Sequence, residues 1–243
     1  RSKFSQMAIL SAGTFFNVLT AILLFGVIAL FFTAAFSPSG VVFNDYDYNL
    51  VGISSITMIN NQVVSPTTLD EVSKLMSNAS FNNITAGGIE YVGVKGIADT
   101  NKIALYYDSP AIRTGLNGAI TEVNEIAVTS QEELGIELNK YQPGEEITFK
   151  TTNGKEVMIY DVVLKEYPGQ EGKSWLGSGF IDQIRSGIMG KIIDALSSFK
   201  KSDTYYTSGL GEFGWFIYDL LWWLILINIS VALVNMLPVG IFD

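Results

Sequence analysis

The stretch Ala8–Phe36 reads AILSAGTFFNVLTAILLFGVIALFFTAAF and contains no ionisable side chain. At 1.5 Å per residue, a helix of this length exceeds a hydrocarbon core about 30 Å thick. The stretch therefore predicts a first transmembrane helix, which we place in residues 1–37. Its apolar length is about twice that of the apolar part of a cleavable signal peptide, which argues against such a signal.

A second apolar stretch extends over Phe213–Leu237 and is interrupted by Asp219. It contains three tryptophans, a residue type that is favoured where a membrane meets water. We therefore predict a second transmembrane helix in residues 212–243.

The net charge of the 243 residues is −9, from 24 acidic and 15 basic side chains. Nearly all the acidic residues lie between the two apolar stretches, which predicts a water-exposed region between two spanning helices. This acidity argues against nucleic-acid binding. The sequence contains no Cys and no His, so disulfides, Ser-His-Asp triads and histidine-ligated metals cannot form from these residues alone.

The charges at the N-terminal end of the sequence predict the orientation in the membrane. Arg1 and Lys3 precede the first apolar stretch, and the positive-inside tendency places that end on the cytoplasmic side. An integral protein of the cell membrane is then expected to have its central region outside the cytoplasm and both ends of the fragment towards it. Two glycosylation sequons, at Asn78 and Asn83, agree with this orientation.

Two segments of the polar region share one pattern: a short strand, a polar turn, a second short strand and a helix. The strand pairs occupy residues 56–65 and 120–130, and the helices occupy residues 67–74 and 131–140. Ser65 and Ser130 are the predicted N-caps of the two helices. A hairpin follows the second helix. The pattern predicts an inserted α+β region containing an internal repeat.

The second segment resembles a PDZ domain of the protease-associated kind. The resemblance is carried by Ser109–Leu116, Gly118–Ile120, Val123-Asn124, Val128, Leu138, Pro143-Gly144 and Asn153-Gly154. It implies that an extended peptide adds to a sheet edge and that backbone amides of a loop, here Trp175-Leu176-Gly177, hold the peptide's terminal carboxylate. Tyr91-Val92-Gly93 is the counterpart expected in the first segment.

These likenesses predict a degenerate PDZ-like repeat in residues 40–97 and a PDZ-like domain in residues 98–182. A pair of small α+β domains that only brace the membrane part, without a ligand, is the alternative. Residues 183–211 are predicted to form an amphipathic helix and a linker. Their helical stripe of apolar side chains would pack on the domain or lie on the membrane surface.

The last twelve residues, Ala232–Asp243, read ALVNMLPVGIFD. An ionisable residue at the middle of a bilayer costs about 2.5–3.5 kcal/mol, so Asp243 is expected to have a partner or a function. Pro238 interrupts the helix. Non-helical backbone at membrane depth is tolerated where it is buried in protein or lines a wet cavity. The stretch therefore predicts a helix that opens into a site.

Asn235, Pro238 and Asp243 form the pattern Asn-x-x-Pro-x-x-x-x-Asp, which resembles the third-ligand motif of the site-2 proteases. These are the zinc-dependent intramembrane metalloproteases of peptidase family M50, and the likeness is strongest to archaeal members. Ser11–Asn17 is similar to the Ala-Gly-Pro-x-x-Asn stretch of that family, with Thr14 in place of the Pro. The resemblance covers nearly the whole sequence.

The resemblance implies one Zn²⁺ ion with Asp243 as its third ligand, while two His and a Glu general base come from a His-Glu-x-x-His helix outside this fragment. Asn235 is expected to orient the substrate, and Pro238 to have a structural role. The full protein is then expected to cleave transmembrane segments of membrane-protein substrates, with the PDZ-like region filtering substrates or recognising peptide C-termini. The fragment alone is expected to be inactive.

Two other functions are compatible with the residues. The first is a membrane-anchored PDZ-type peptide-binding module, or an inactive homologue. The second is an intramembrane aspartyl protease that uses Asp219 and Asp243, whose carboxylates must share a proton. These two residues are about 36 Å apart along a continuous helix, so they cannot form such a pair within one segment.

Overall fold

The structure is a computed structural model that describes residues 3–43, 45–99, 101–179, 187 and 198–236, with side chains in the first helix described from residue 12. The chain divides into two compact units. The first unit consists of Arg1–Pro38, Ile184–Lys201 and Tyr206–Asp243, and the second consists of Ser39–Gln183 and Ser202–Tyr205.

The first unit contains two long helices, α1 (Lys3–Ala35) and α5 (Glu212–Met236). Both are long and apolar enough to cross a membrane, over Ala12–Ala35 and Glu212–Met236. They pack against each other through a few buried side chains, while most of their apolar side chains are exposed. A helix pair that is apolar on its outer faces suits a lipid environment, and the two spanning segments expected from the sequence are both helical.

One end of the helix pair is held by aromatic side chains. The Phe32 and Phe36 rings stack at 4.7 Å between centroids, and Phe36 meets Trp215 edge to face at 4.6 Å. At the same end, the Gly209 N–H donates a hydrogen bond of 2.9 Å to the carbonyl oxygen of Ala35. The last residue of α1 is therefore bonded to the segment that immediately precedes α5.

The described strands form two six-stranded sheets and two short pairs. The first sheet has the order β3-β8-β7-β6-β4-β5, and all its neighbouring strands are antiparallel. Its strands are β3 (Tyr48–Gly52), β4 (Ile56–Ile59), β5 (Gln62–Val63), β6 (Ile84–Ala86), β7 (Ile89–Asp99) and β8 (Lys102–Tyr107). Helix α2 (Leu69–Leu75) lies on this sheet and buries Val72 in its core.

The second sheet has the order β12-β11-β9-β1-β16, with β10 paired to β9. Its strands are β1 (Phe36–Val42), β9 (Ala119–Val123), β10 (Ile126–Ala127), β11 (Glu146–Thr152), β12 (Val157–Val163) and β16 (Thr204–Ser208). Helices α3 (Pro110–Thr114) and α4 (Gln131–Leu138) contribute Ala111 and Leu134 to its core. Two short pairs complete the unit: β13 (Lys165–Tyr167) with β14 (Gln170–Trp175), and β15 (Ser178–Gly179) with β2 (Asp45–Tyr46).

The repeated strand-turn-strand-helix pattern is present in both sheets. In the first hairpin Ile59 pairs with Gln62, and in the second Val123 pairs with Ile126. Each two-residue turn has positive φ at both positions: Asn60 (48°), Asn61 (66°), Asn124 (45°) and Glu125 (67°). Such turns match the right-handed twist of the strands they join.

The helix caps agree with the sequence prediction in only one of the two copies. Ser130 caps α4, because its side chain accepts a hydrogen bond of 3.2 Å from the Glu133 N–H. The predicted Ser65 cap is wrong, because α2 begins at Leu69 and is capped by Thr68, whose hydroxyl accepts from the Glu71 N–H.

Several predicted features differ from the observed elements. Tyr91-Val92-Gly93 was expected to form a ligand-binding loop, but it lies inside β7, whose residues pair with β6 and β8. The boundary placed between residues 97 and 98 also falls inside β7. The amphipathic helix placed in residues 183–211 and the end of the second spanning segment, residues 237–243, lie largely outside the described residues.

Candidate functional site

Two motif stretches that are far apart in the sequence meet in the first unit. Gly13 lies in α1 and Asn235 lies near the end of α5, and a Cβ atom at Gly13 would lie 3.9 Å from the Nδ2 atom of Asn235. Small residues let two helix backbones approach closely inside a membrane. The glycine of the Ser11–Asn17 stretch therefore lies beside the asparagine of the second motif.

The carboxamide of Asn235 has no hydrogen-bond partner among the described residues. Asn228, two helical turns earlier in α5, behaves differently, because its Nδ2 donates 2.8 Å to the carbonyl oxygen of Leu224. Leaving an amide without a hydrogen-bond partner in an apolar environment costs several kcal/mol of free energy. Asn235 is half-buried, so its donor and acceptor groups are both placed to bind another molecule or segment.

Pro238 and Asp243, the other two residues of the motif, lie outside the described residues. Within the described part of the chain, no group of three or more His, Cys, Asp or Glu side chains could hold a metal ion. Zinc sites generally use three or four protein ligands, mostly nitrogen and sulfur. The 243 residues contain carboxylates but neither His nor Cys.

A separate cleft lies in the second unit, where Trp175-Leu176-Gly177 connects β14 to β15. The cleft has a volume of about 280 Å³ and lies between this loop and one face of α4. Leu134, Leu138 and Leu176 provide its apolar surface, and Asp47 and Lys173 are the charged residues that line it. The three loop residues predicted from the sequence therefore stand at one cleft.

The loop conformation depends on Gly177. Its φ of +84° favours glycine, and an added Cβ would lie 2.0 Å from the Cβ of Ser109. The loop carbonyls are occupied, since Leu176 accepts 2.9 Å from the Ala111 N–H and Gly177 accepts 2.9 Å from the Asp47 N–H. The N–H groups of Leu176 and Gly177 have no partner among the described residues. Two unpaired donors beside an apolar cleft are able to bind an anion.

Asp47 is a cleft residue that the sequence analysis missed. Its Oδ2 atom accepts a hydrogen bond of 2.8 Å from Nε1 of Trp175. Burial raises the pKa of the Asp47 carboxyl, and the Trp175 hydrogen bond only partly opposes this shift. Asp47 and Trp175 are 128 positions apart, so no local pattern connects them.

Two helices that are long and apolar enough to cross a membrane, with a β-rich region between them, are typical of a membrane protein with a large insertion. The family model described as peptidase family M50 matches residues 1–243, and the chain belongs to this family. A search of curated proteins found no match. Family membership supports a membrane metalloprotease of the site-2 protease kind, and proteases of this family are generally zinc-dependent.

Proposed function

We propose that this chain is part of a membrane-embedded zinc metalloendopeptidase that cleaves transmembrane segments of substrate proteins. Asp243 supplies one zinc ligand, and two His from outside these residues complete the set. Asn235 orients the substrate beside the metal. When bound, the zinc ion would lower the pKa of a water molecule and so supply the nucleophile for peptide hydrolysis.

The observation that carries this proposal is the close approach of Gly13 and Asn235, within a chain that matches peptidase family M50 over residues 1–243. Both stretches were singled out from the sequence for their likeness to site-2 proteases. Their proximity supports one site that uses both. The free carboxamide of Asn235 supports a binding role, because neither its donor nor its acceptor is used by the described residues.

Zinc content tests the role of Asp243. The full-length protein is purified with and without Asp243→Ala, and zinc is measured per polypeptide. We expect the zinc content per polypeptide to fall about tenfold or more in Asp243→Ala, because the ion loses one of about three protein ligands. Asp219→Ala is the matched control, since it removes another carboxylate from the same apolar stretch and should leave the zinc content unchanged. Equal zinc in Asp243→Ala and the wild type would exclude ligation by Asp243.

Substrate cleavage tests the role of Asn235. The full-length protein is reconstituted with a single-span substrate, and cleavage and zinc content are followed in Asn235→Ala. We expect cleavage to fall while zinc stays bound, because the asparagine contacts the substrate and not the metal. Asn228→Ala is the matched control, since its amide bonds to its own helix. Loss of zinc in Asn235→Ala would assign a structural role to Asn235 instead.

We propose further that the cleft beside Trp175-Leu176-Gly177 recognises peptide C-termini and so helps to select substrates. The N–H groups of Leu176 and Gly177, unpaired among the described residues, support this role. The β15 strand supports it as well, because β2 is its one partner strand in the part of the chain that the structure describes. The test is titration calorimetry of the 243-residue chain in detergent with a free-acid hexapeptide and its C-terminal amide. Binding of the free acid alone is expected. If neither peptide binds, the region acts by steric exclusion.

The same cleft favours the second candidate function, a membrane-anchored peptide-binding module or an inactive homologue. Such a protein would bind the free-acid peptide but would retain no zinc at Asp243 and cleave no substrate. The zinc measurement and the peptide titration therefore distinguish the two functions.

A further inference from the structure

Asp47 differs from the neighbouring Asp45 in its charged partners among the residues that the structure describes. The Asp45 carboxylate forms an ion pair with Lys95, whose ammonium also lies 4.0 Å from the centroid of the Tyr48 ring. Asp47 has no Lys or Arg nitrogen within 4.0 Å among the described residues, and its one side-chain partner is the Trp175 indole N–H. Asp47 is half-buried and lines the cleft, and no cation from the described part of the chain pairs with its carboxylate.

The aromatic side chains around Asp47 also suit a cation. The Trp175 ring meets Tyr107 at 5.6 Å and Tyr167 at 5.8 Å between centroids, in both cases edge to face. Lys173 lines the same cleft, but its ammonium lies 5.2 Å from the centroid of the Tyr167 ring and is not paired with Asp47. An ammonium group is attracted by the faces of aromatic rings and by a carboxylate.

We propose that Asp47 makes the cleft selective for peptides that carry a cationic side chain, Lys or Arg, close to the bound C-terminal end. The inference rests on the proposed peptide-binding function and adds the chemical class of the ligand. The N–H groups of Leu176 and Gly177 bind the terminal carboxylate, the leucines bind the apolar terminal side chain, and Asp47 pairs with the cation. A ligand with this charge also compensates the carboxylate that burial disfavours.

The test uses free-acid hexapeptides that end in leucine and have alanine elsewhere. One lysine is moved through the non-terminal positions, and each peptide is compared with its norleucine analogue, which has a similar unbranched side chain but no charge. Dissociation constants are measured by titration calorimetry with the 243-residue chain in detergent. We expect one lysine position to bind about tenfold more tightly than its norleucine analogue, as a charge-assisted hydrogen bond predicts.

The variant Asp47→Asn keeps an oxygen that can accept from the Trp175 N–H and removes the negative charge. Its affinities for the lysine peptide and the norleucine peptide should therefore become about equal, because the preference for lysine is lost. Asp161→Asn is the matched control, because it removes an equal charge from an exposed residue of β12 that does not line the cleft. The lysine preference should persist in Asp161→Asn, which separates a local effect from general attraction to an acidic protein.

The outcomes distinguish this inference from the function on which it rests. If the norleucine peptides bind but no lysine position is preferred, the selectivity is refuted and peptide binding stands. If the preference persists in Asp47→Asn, another group carries it and the role of Asp47 is refuted. If no free-acid peptide binds at all, both the peptide-binding function and the selectivity fall.

Discussion

Replacing Gly177 with alanine tests whether the close approach of two segments shapes the cleft. The backbone at Gly177 has a φ of +84°, which costs an alanine about 1–2 kcal/mol. The new Cβ atom would lie 2.0 Å from the Cβ and 2.3 Å from the Oγ of Ser109, so one segment must move. Overpacking of this kind costs about 1–3 kcal/mol. Gly177→Ala should therefore lower the free energy of unfolding by about 2–5 kcal/mol.

Gly169→Ala is the matched control for backbone strain. Gly169 has a φ of +87°, but nothing lies within 4 Å of the position of its Cβ. Its substitution should therefore cost only the backbone part, about 1–2 kcal/mol. Unfolding by urea is followed in detergent through the fluorescence of Trp175, in a chain whose other tryptophans are replaced by phenylalanine. The difference between the two alanine variants measures the contact with Ser109.

A second substitution separates the contact from the backbone strain. Combining Gly177→Ala with Ser109→Gly removes the side chain that the new Cβ would meet. The double variant should recover the steric part of the loss and keep the backbone part, so the two changes should be strongly non-additive. If Gly177→Ala costs no more than Gly169→Ala, or if Ser109→Gly recovers nothing, the close approach does not determine the loop conformation and this reasoning is refuted.

Three further predictions concern the second unit. Ser109→Ala should leave the free energy of unfolding unchanged or raise it by about 1 kcal/mol, because the buried Ser109 hydroxyl has no hydrogen-bond partner in the described part of the chain. A clear loss of stability in thermal melts would contradict this. Burial raises the pKa of Asp108, but hydrogen bonds from Arg113 and Lys165 outweigh it and hold that pKa below its usual range. The ionised Asp108 carboxylate therefore stabilises the fold fully above the usual pKa of an Asp carboxyl, and this stabilisation is lost as the pH falls through the lowered pKa. Asp108→Asn should lower the free energy of unfolding at neutral pH. In urea titrations at acid pH, the free energies of the variant and the wild type should converge. Ser130→Ala should cost about 1 kcal/mol in the same titrations at neutral pH, since it removes the cap of α4, and an unchanged midpoint would exclude that role.

The features that could be predicted from sequence were those with a local cause. Long apolar runs predicted both spanning helices, and short alternating runs with polar turns predicted the paired hairpins. The Ser130 cap was predictable because its position relative to the following helix is local. The prediction of a Ser65 cap was wrong because Thr68 also offers a hydroxyl and lies directly before Leu69, where the helix begins.

The features that escaped prediction depend on segments that are distant in the sequence. Trp175-Leu176-Gly177 and Tyr91-Val92-Gly93 have similar sequences. The first forms a loop whose glycine has a positive φ, and the second lies within a strand. The cleft carboxylate Asp47 is brought to Trp175 by the pairing of β2 with β15. Neither fact has a local signal in the sequence, because each depends on which strand lies next to which.

The hydrogen bond from Gly209 to Ala35 has a consequence for how this protein can be engineered and how it can evolve. The helical pair already holds the two ends of its long connection together, so a tight turn of a few residues could join the helices directly. Residues 39–183, which belong to the second unit, are then an exchangeable module, and a lineage could acquire, replace or discard it while the membrane hairpin keeps its own closure.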